Sequence, residues 1–256
     1  LAERLAKVNQ DLREAEAAVR RSERLAALGQ LSAGLAHELR NPLGTIRTSA
    51  EMLGRSVQAE NEISREVAGF ISSEVDRANS LVTRFLEFAR PLELRRAPAE
   101  LAALIDRAVA QVEREPEAEA VSIYKNYAPG IPPLPLDAEL MERAFFNLLL
   151  NAVQATGPRR PGGAITVKTR LASLGAGGEL EVAEVAIIDR GCGIQAAELE
   201  NIFNPFFTTK PRGVGLGLAI VAKILDEHGA TMTVESEPGK GSVFRVWLPL
   251  KPQRPA

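Results

Sequence analysis

Residues 35–44 read LAHELRNPLG, and four of them could do chemistry together: His37, Glu38, Asn41 and Pro42. A neutral imidazole is a competent nucleophile near neutral pH. The Glu38 carboxylate can take a proton from that ring or orient it. Asn41 follows His37 by four residues and shares its face of a helix. An amide donates and accepts but is no base near neutral pH, so Asn41 suits the positioning of a water rather than attack. Pro42 removes the helical bond to the Glu38 carbonyl and allows a bend beside the histidine. A solvated surface histidine is the bland alternative, and these neighbours weigh against it.

A second group lies far along the chain. The stretch NLLLNAVQA (147–155) sets Asn147 and Asn151 one turn apart on a helix whose other face is apolar. Amide oxygens are hard ligands suited to Mg²⁺ when phosphates complete the shell. DRGCGI (189–194) follows a strand-like run: Asp189 can accept a bond from an exocyclic amine, and Gly191 and Gly193 let backbone approach a flat ring. IFNPFFTTK (202–210) and GVGLGLAI (213–220) then open a helix, and glycines before a helix N-terminus make a phosphate site. Two solvated asparagines and a pair of Gly-rich turns would explain each piece alone. Together, in this order, they describe a nucleotide pocket.

The elements that must position these groups fall into two halves. From Leu1 to Val19 apolar residues recur at spacings of four and three, the seam of a coiled coil. A second stripe runs from Leu28 through Leu35 and Leu39 to Leu53, and His37 lies about 200° from Leu35, away from that seam. The pattern breaks near Gly54. A third stripe, Ile63 to Ala89, stops at Pro91. Two long amphipathic helices with a short connection make an antiparallel hairpin, and two copies of it make a four-helix bundle, so a homodimer is expected. Beyond a linker near 90–98 the character changes. Helices are expected over 99–112, 138–156 and 214–228, with Asp137 as the N-cap of the second. Strands are expected at 121–127, 164–171, 179–189, 231–236 and 242–249. This half reads as an α/β sandwich of helices on one mixed sheet. The expected organisation is a coiled-coil helix over 1–24, a dimerisation region carrying His37 over 25–92, and a domain carrying the nucleotide pocket over 98–250.

Composition narrows the classes. The 256 residues are 45% hydrophobic and 25% charged, ordinary for a globular chain. A net charge of −2 gives no reason to expect nucleic acid or an anionic membrane surface as the main partner. The single cysteine, Cys192, excludes an internal disulfide and points to a reducing, cytoplasmic setting. No apolar run is long enough to span a bilayer, so direct membrane contact is not expected of these residues. Leu1 begins within a helical pattern, as in a piece of a longer protein whose input domain precedes it.

With both groups in view, the chain resembles the kinase core of bacterial sensor histidine kinases over nearly its whole length. HELRNP is similar to that family's H box, NLLLNAVQA to its N box, DRGCGI to its G1 box, IFNPFF to its F box and GVGLGL to its G2 box. The style of NAVQA and FFTTK resembles the nitrogen-regulation subgroup. The resemblance implies a dimeric helical phosphotransfer domain followed by a Bergerat-type ATPase domain, with ATP and Mg²⁺ as cofactors. It implies His37 as phosphoacceptor, Glu38 and Asn41 as its catalytic neighbours, and a receiver-domain aspartate of a response regulator as the next acceptor. It gives the nucleotide Asn147, Asn151, Asp189, Gly191, Gly193, Lys210, Gly213, Gly215, Leu216 and Gly217, with Asn151 on the metal. Lys210 or Arg212 would stabilise the transferred group, plain surface charge being the alternative for both. Phe203, Phe206 and Phe207 would anchor the lid. Many relatives carry a lysine or arginine where Gln154 stands, so Gln154 receives no phosphate contact. Cys192 is expected as a small packed residue and His228 as a structural helix-end residue. Two rivals share features. Water-using ATPases of the same nucleotide fold carry a glutamate one turn before the metal asparagine, where this chain has Asn147. A degenerate scaffold that merely dimerises and binds a regulator would not need intact glycine boxes, Asp189 or Asn151.

Overall fold

The computed structural model describes residues 42–53, 62–89, 92–157, 163–174, 180–210 and 213–251. The coiled-coil segment, His37, Glu38, Asn41, Arg212 and the expected break at Gly54 lie outside them. The chain divides into two units, 1–91 and 92–256.

In the first unit, helix α1 covers 42–53 and α2 covers Glu62–Ala89. Pro42 is the first described residue of α1, so a bend on its N-terminal side lies outside the description. Arg47 joins the helices: its Nε donates to Glu51 and its Nη1 to Asp76 of α2, both at 2.9 Å. Ala50, Ala68, Val75 and Phe88 are buried. Ile46, Met52, Ile63, Val67 and Phe70 remain exposed, Ile63 at 74% and Phe70 at 64%. Among the described residues, Ile63, Val67 and Phe70 share one open apolar stripe of α2 at helical spacing. Among the described residues no helix is long and apolar enough to cross a membrane.

The second unit is built on a five-stranded mixed sheet. Its strands are β2 (Val121–Tyr127), β4 (Gly163–Leu174), β5 (Leu180–Asp189), β6 (Thr231–Glu237) and β7 (Gly241–Pro249), ordered β2-β4-β5-β7-β6. Only β2 and β4 run parallel; the other neighbours are antiparallel. Alternation sorts the faces. Ala183, Val185 and Ile187 of β5 and Phe244, Val246 and Leu248 of β7 enter the core. Glu184 points the other way and takes Arg170 of β4 at 2.6 Å. Helices α3 (Leu101–Val112), α4 (Ala138–Thr156) and α6 (Gly217–Glu227) accompany the sheet, with α4 packed on β4, β5 and β7 and flanked by α3 and α6. Met141, Phe145, Leu148 and Ala152 form the buried stripe of α4, as its 3.6-residue period requires. Three elements have no counterpart in the sequence reading, one of them the 3₁₀ turn Pro116–Ala118. Strand β1 (Ala97–Ala99) pairs with β3 (Leu134–Leu136), and α5 (Ala196–Leu199) is a single turn.

Asp137 caps α4 as expected, its Oδ1 accepting from the Leu140 N–H at 3.1 Å. Its Oδ2 accepts from the Arg95 N–H at 2.8 Å, and its own N–H donates to His228 Nε2 at 3.0 Å. Because Nε2 must accept there, the proton sits on Nδ1, which donates to the Ile224 carbonyl at 2.7 Å. His228 is thus a buried neutral ring at the end of α6, a structural residue. Arg96 donates to the Glu227 carbonyl at 2.6 Å, so the start of this unit is tied to the C-terminal end of α6.

Burial holds the His228 imidazole below the ordinary histidine value, with Arg96 acting the same way and the Ile224 bond, Asp137 and Glu227 opposing. Replacing His228 with leucine strands the buried Asp137 N–H and is expected to cost about 1–3 kcal/mol in denaturant unfolding at pH 7.5. The folded ring resists protonation while the unfolded ring accepts it. Wild-type stability therefore falls as pH drops below about 6.5, the ordinary histidine value. The wild-type advantage over the leucine variant should shrink over that range.

Candidate nucleotide site

Four elements meet at one end of the second unit: α4, the end of β5, the stretches 190–210 and 213–215, and the start of α6. Asn147, Asn151 and Gln154 lie at spacings of four and three, one stripe of α4. A Cβ built on Gly217 would stand 3.3 Å from Asn147 Oδ1 and 3.8 Å from Asn151 Nδ2, so α6 begins against the two asparagines. Asn147 Nδ2 donates to the Arg143 carbonyl at 2.8 Å.

Asp189 ends β5 and is buried. Its Oδ1 accepts from the Gly191 N–H at 2.8 Å. Desolvation pushes its carboxyl above the usual carboxylate range, and bonds from Gly191 and from Ser242 of β7 pull it back. Ser242 therefore belongs to the site. It was absent from the sequence reading because only the β5–β7 register, Asp189 opposite Ser242, brings the two together.

The loop after Asp189 is stitched on both sides. Cys192 donates its N–H to the Ala155 carbonyl of α4 at 3.1 Å, and its carbonyl accepts from Gly239 at 2.7 Å. With its backbone so used, the Cys192 side chain faces out: it is an exposed free thiol, not the packed residue expected. Gly191 and Gly193 also find a different reason for their absent side chains. A Cβ at Gly191 would meet the Ala155 backbone at 2.5–2.6 Å, and one at Gly193, where φ is +69°, would strike the Glu237 carbonyl. Protein backbone, rather than a ligand ring, fills both places.

Phe203 and Phe207 pack on the core, whereas Phe206 is 56% exposed with φ of +67°. Two of the three aromatics thus anchor the segment. The Phe206 N–H donates to the Gly215 carbonyl at 2.9 Å, joining the IFNPFF stretch to the GVGLGL stretch. Gly213 donates to the Lys210 carbonyl at 3.0 Å. The Leu216 side chain is buried, and its carbonyl starts α6 by accepting from Ile220. Lys210 reaches across to α4. Its Nζ donates to Asn151 Oδ1 at 3.0 Å and to Gln154 Oε1 at 2.6 Å. Burial draws this ammonium below the ordinary lysine value, with Cys192 acting the other way.

The arrangement offers a buried carboxylate for an amine, a helix N-terminus for phosphates, and an amide oxygen already holding a cation. Among the described residues no cluster of three His, Cys, Asp or Glu side chains could hold a metal. A divalent ion here would therefore rest on Asn151 and on oxygens brought by phosphates and water.

Comparisons with known proteins find matches to both halves of the chain. Residues 27–94 match the His Kinase A (phospho-acceptor) domain, and 136–252 match the histidine kinase-, DNA gyrase B-, and HSP90-like ATPase family. Sensor histidine kinase ZraS of Escherichia coli K12 is 36% identical over 232 residues, 91% of this chain and 48% of ZraS. The sensory histidine kinase/phosphatase NtrB of Rhizobium leguminosarum bv. phaseoli is 34% identical over 226 residues, 86% of this chain and 57% of NtrB. Among solved structures, full-length ShkA in complex with AMPPNP superposes with a TM-score of 0.66 at 26% identity, covering 88% of this chain and 46% of ShkA. Histidine kinase ThkA in complex with the response regulator TrrA gives 0.63 at 25% identity, covering 94% of this chain and 67% of ThkA. The chain spans about half the length of the first curated relatives it matches. With a phosphoacceptor domain and an ATPase domain in that order, and with relatives that match across both, the chain belongs to the sensor histidine kinases.

Proposed function

We propose that this chain transfers the γ-phosphoryl group of ATP to His37 and then to an aspartate of a response-regulator receiver domain. The carrying observation is the convergence of Asp189, Asn151, Lys210 and the α6 N-terminus on one site. The HELRNP stretch in the other unit supports it, as do relatives that share both. Asp189 would accept from the adenine amine. Asn147, Asn151, Gly213, Gly215, Leu216 and Gly217 would surround the phosphates, with Lys210 contributing charge. Asn151 would give its oxygen to Mg²⁺, which when bound neutralises phosphate charge. His37 Nε2 or Nδ1 attacks phosphorus, the bond to the β-phosphate oxygen breaks, and ADP leaves. Glu38 receives or orients the ring proton. The histidyl phosphate then passes to the carboxylate of the receiver. Asn147 stands where a water-activating ATPase needs a base, and an amide has no such capacity. The test is incubation with ATP and a receiver domain: phosphate should appear on the chain first and on the receiver second.

We propose that the working unit is a homodimer with 25–92 as its bundle. The exposed face of Ile46, Val67, Phe70 and Leu81 supports this, since a second hairpin would cover it. ThkA, solved with a response regulator, supports the receiver as partner.

Asn41 is assigned to a second activity, hydrolysis of the receiver's aspartyl phosphate, in which water attacks phosphorus and inorganic phosphate leaves the free carboxylate. Asn41 follows His37 by four residues in the sequence, and its amide would orient water at an aspartyl phosphate that is already activated. Asn41→Ala should keep self-phosphorylation within a few-fold. It should slow receiver dephosphorylation about tenfold, or about 1.4 kcal/mol of barrier. Decay of purified phospho-receiver in the presence of ADP measures it. Coincident decay curves for variant and active wild type would remove Asn41 from that role.

A further inference from the structure

The Lys210 ammonium is held by two neutral acceptors, Asn151 Oδ1 at 3.0 Å and Gln154 Oε1 at 2.6 Å. The shorter bond goes to Gln154, a residue without a role in the nucleotide site described above. Among the described residues no carboxylate pairs with this lysine, although it is largely withdrawn from water. Among the described residues the charge is therefore held by two neutral acceptors and met by no carboxylate. Such an arrangement holds a cation ready for an anion.

Asn151 cannot be the lasting anchor if its oxygen also serves a divalent ion, because two cations on one amide oxygen repel. Gln154 has no such conflict. It sits three residues beyond Asn151 on the same stripe of α4, one step further from Gly217 and the α6 N-terminus. A glutamate there would hold the lysine as well but would cancel its charge. An amide accepts the bond and leaves the charge standing.

We propose that Gln154 is a positioning residue: it holds the Lys210 ammonium beside Asn151 so that a bound nucleoside triphosphate meets a fixed, unneutralised cation. The inference rests on the nucleotide reading above and names the residue that orients its lysine. Gln154 is exposed and at the end of a long helix, so substitutions there should leave the fold intact.

The test is a double-mutant cycle read by calorimetry with a non-hydrolysable ATP analogue and Mg²⁺, on the whole chain. Gln154→Met and Lys210→Met should each weaken analogue binding about tenfold. The double variant should bind no more weakly than Lys210→Met alone, because methionine at 154 then has no lysine to release. Gln154→Glu should also lose affinity, although it keeps a bond to the lysine. The inference is overturned if Gln154→Met binds like wild type. It is also overturned if its loss persists undiminished in the Lys210→Met background, or if Gln154→Glu binds as tightly as wild type. Failure of the wild-type chain to bind the analogue is a distinct result, which removes the nucleotide reading itself.

Discussion

His37→Ala is expected to abolish transfer of phosphate from ATP to the chain, to below about a thousandth of the wild-type rate, since no other group replaces the attacking nitrogen. Affinity for a non-hydrolysable ATP analogue should stay within about twofold of wild type. The split follows from the two units: the nucleophile belongs to 1–91, and the groups assigned to the nucleotide all belong to 92–256. Labelling that persists at the wild-type rate would take His37 out of its role. Analogue affinity that collapses with labelling would mean that the histidine contributes to the nucleotide site.

Asp189→Asn is expected to weaken adenine-nucleotide binding roughly tenfold to a hundredfold, the effect of about 1.5–3 kcal/mol for a hydrogen bond to a charged group. The variant keeps the shape, and its amide oxygen can still accept from Gly191. What it loses is the charged acceptor for the exocyclic amine. An inosine nucleotide has no such amine, so its affinity should change much less. Calorimetry with both nucleotides reads the difference, and equal losses for the two would place the amine elsewhere. Burial already penalises the ionised carboxyl. A neutral amide avoids that cost, so the variant should unfold at no lower a temperature than wild type, which separates lost binding from lost fold.

Much of the second unit was legible because its signals are local. The α4 boundaries follow from an Asp N-cap and a 3.6-residue stripe that ends at Gly157. Alternation marked β5 and β7 through the apolar core runs Ala183, Val185, Ile187 and Phe244, Val246, Leu248. β1 escaped because Ala-Pro-Ala carries no alternation; the three residues become a strand only through pairing with β3. α5 escaped because a single turn has no period and Gln195 is not one of the preferred N-cap types, although the Gln195 N–H donates to Glu198 at 3.3 Å. α6 begins at Gly217 rather than at 214, since Gly215, with φ of +70°, packs against the Phe206–Phe207 backbone before the helix can start.

Site legibility divides along the same line. Asn147, Asn151 and Asp189 could be picked out because residue type and spacing named the chemistry. Gln154 lay on the same stripe, yet its role depends on a lysine that returns to α4 from a distant loop. Ser242 depends on sheet register, and the outward turn of Cys192 on what its backbone bonds to. The glycines of DRGCGI were visible as unusual, but their reason is contact with Ala155 and Glu237 rather than a ligand. Long-range contacts of this kind leave no periodic trace in the chain.

The most direct measurement is the chemistry of the phosphorylated product. The purified chain is incubated with ATP labelled at the γ-phosphate, and the labelled protein is treated with acid and with alkali and then mapped by peptide. Phosphorus bonded to an imidazole nitrogen is lost in acid and retained in alkali. The expected result is label of that kind on the peptide containing His37. Acid-stable label would show transfer to a hydroxyl, and release of inorganic phosphate without any protein label would show a water-using ATPase; either contradicts the histidine phosphotransfer assigned here.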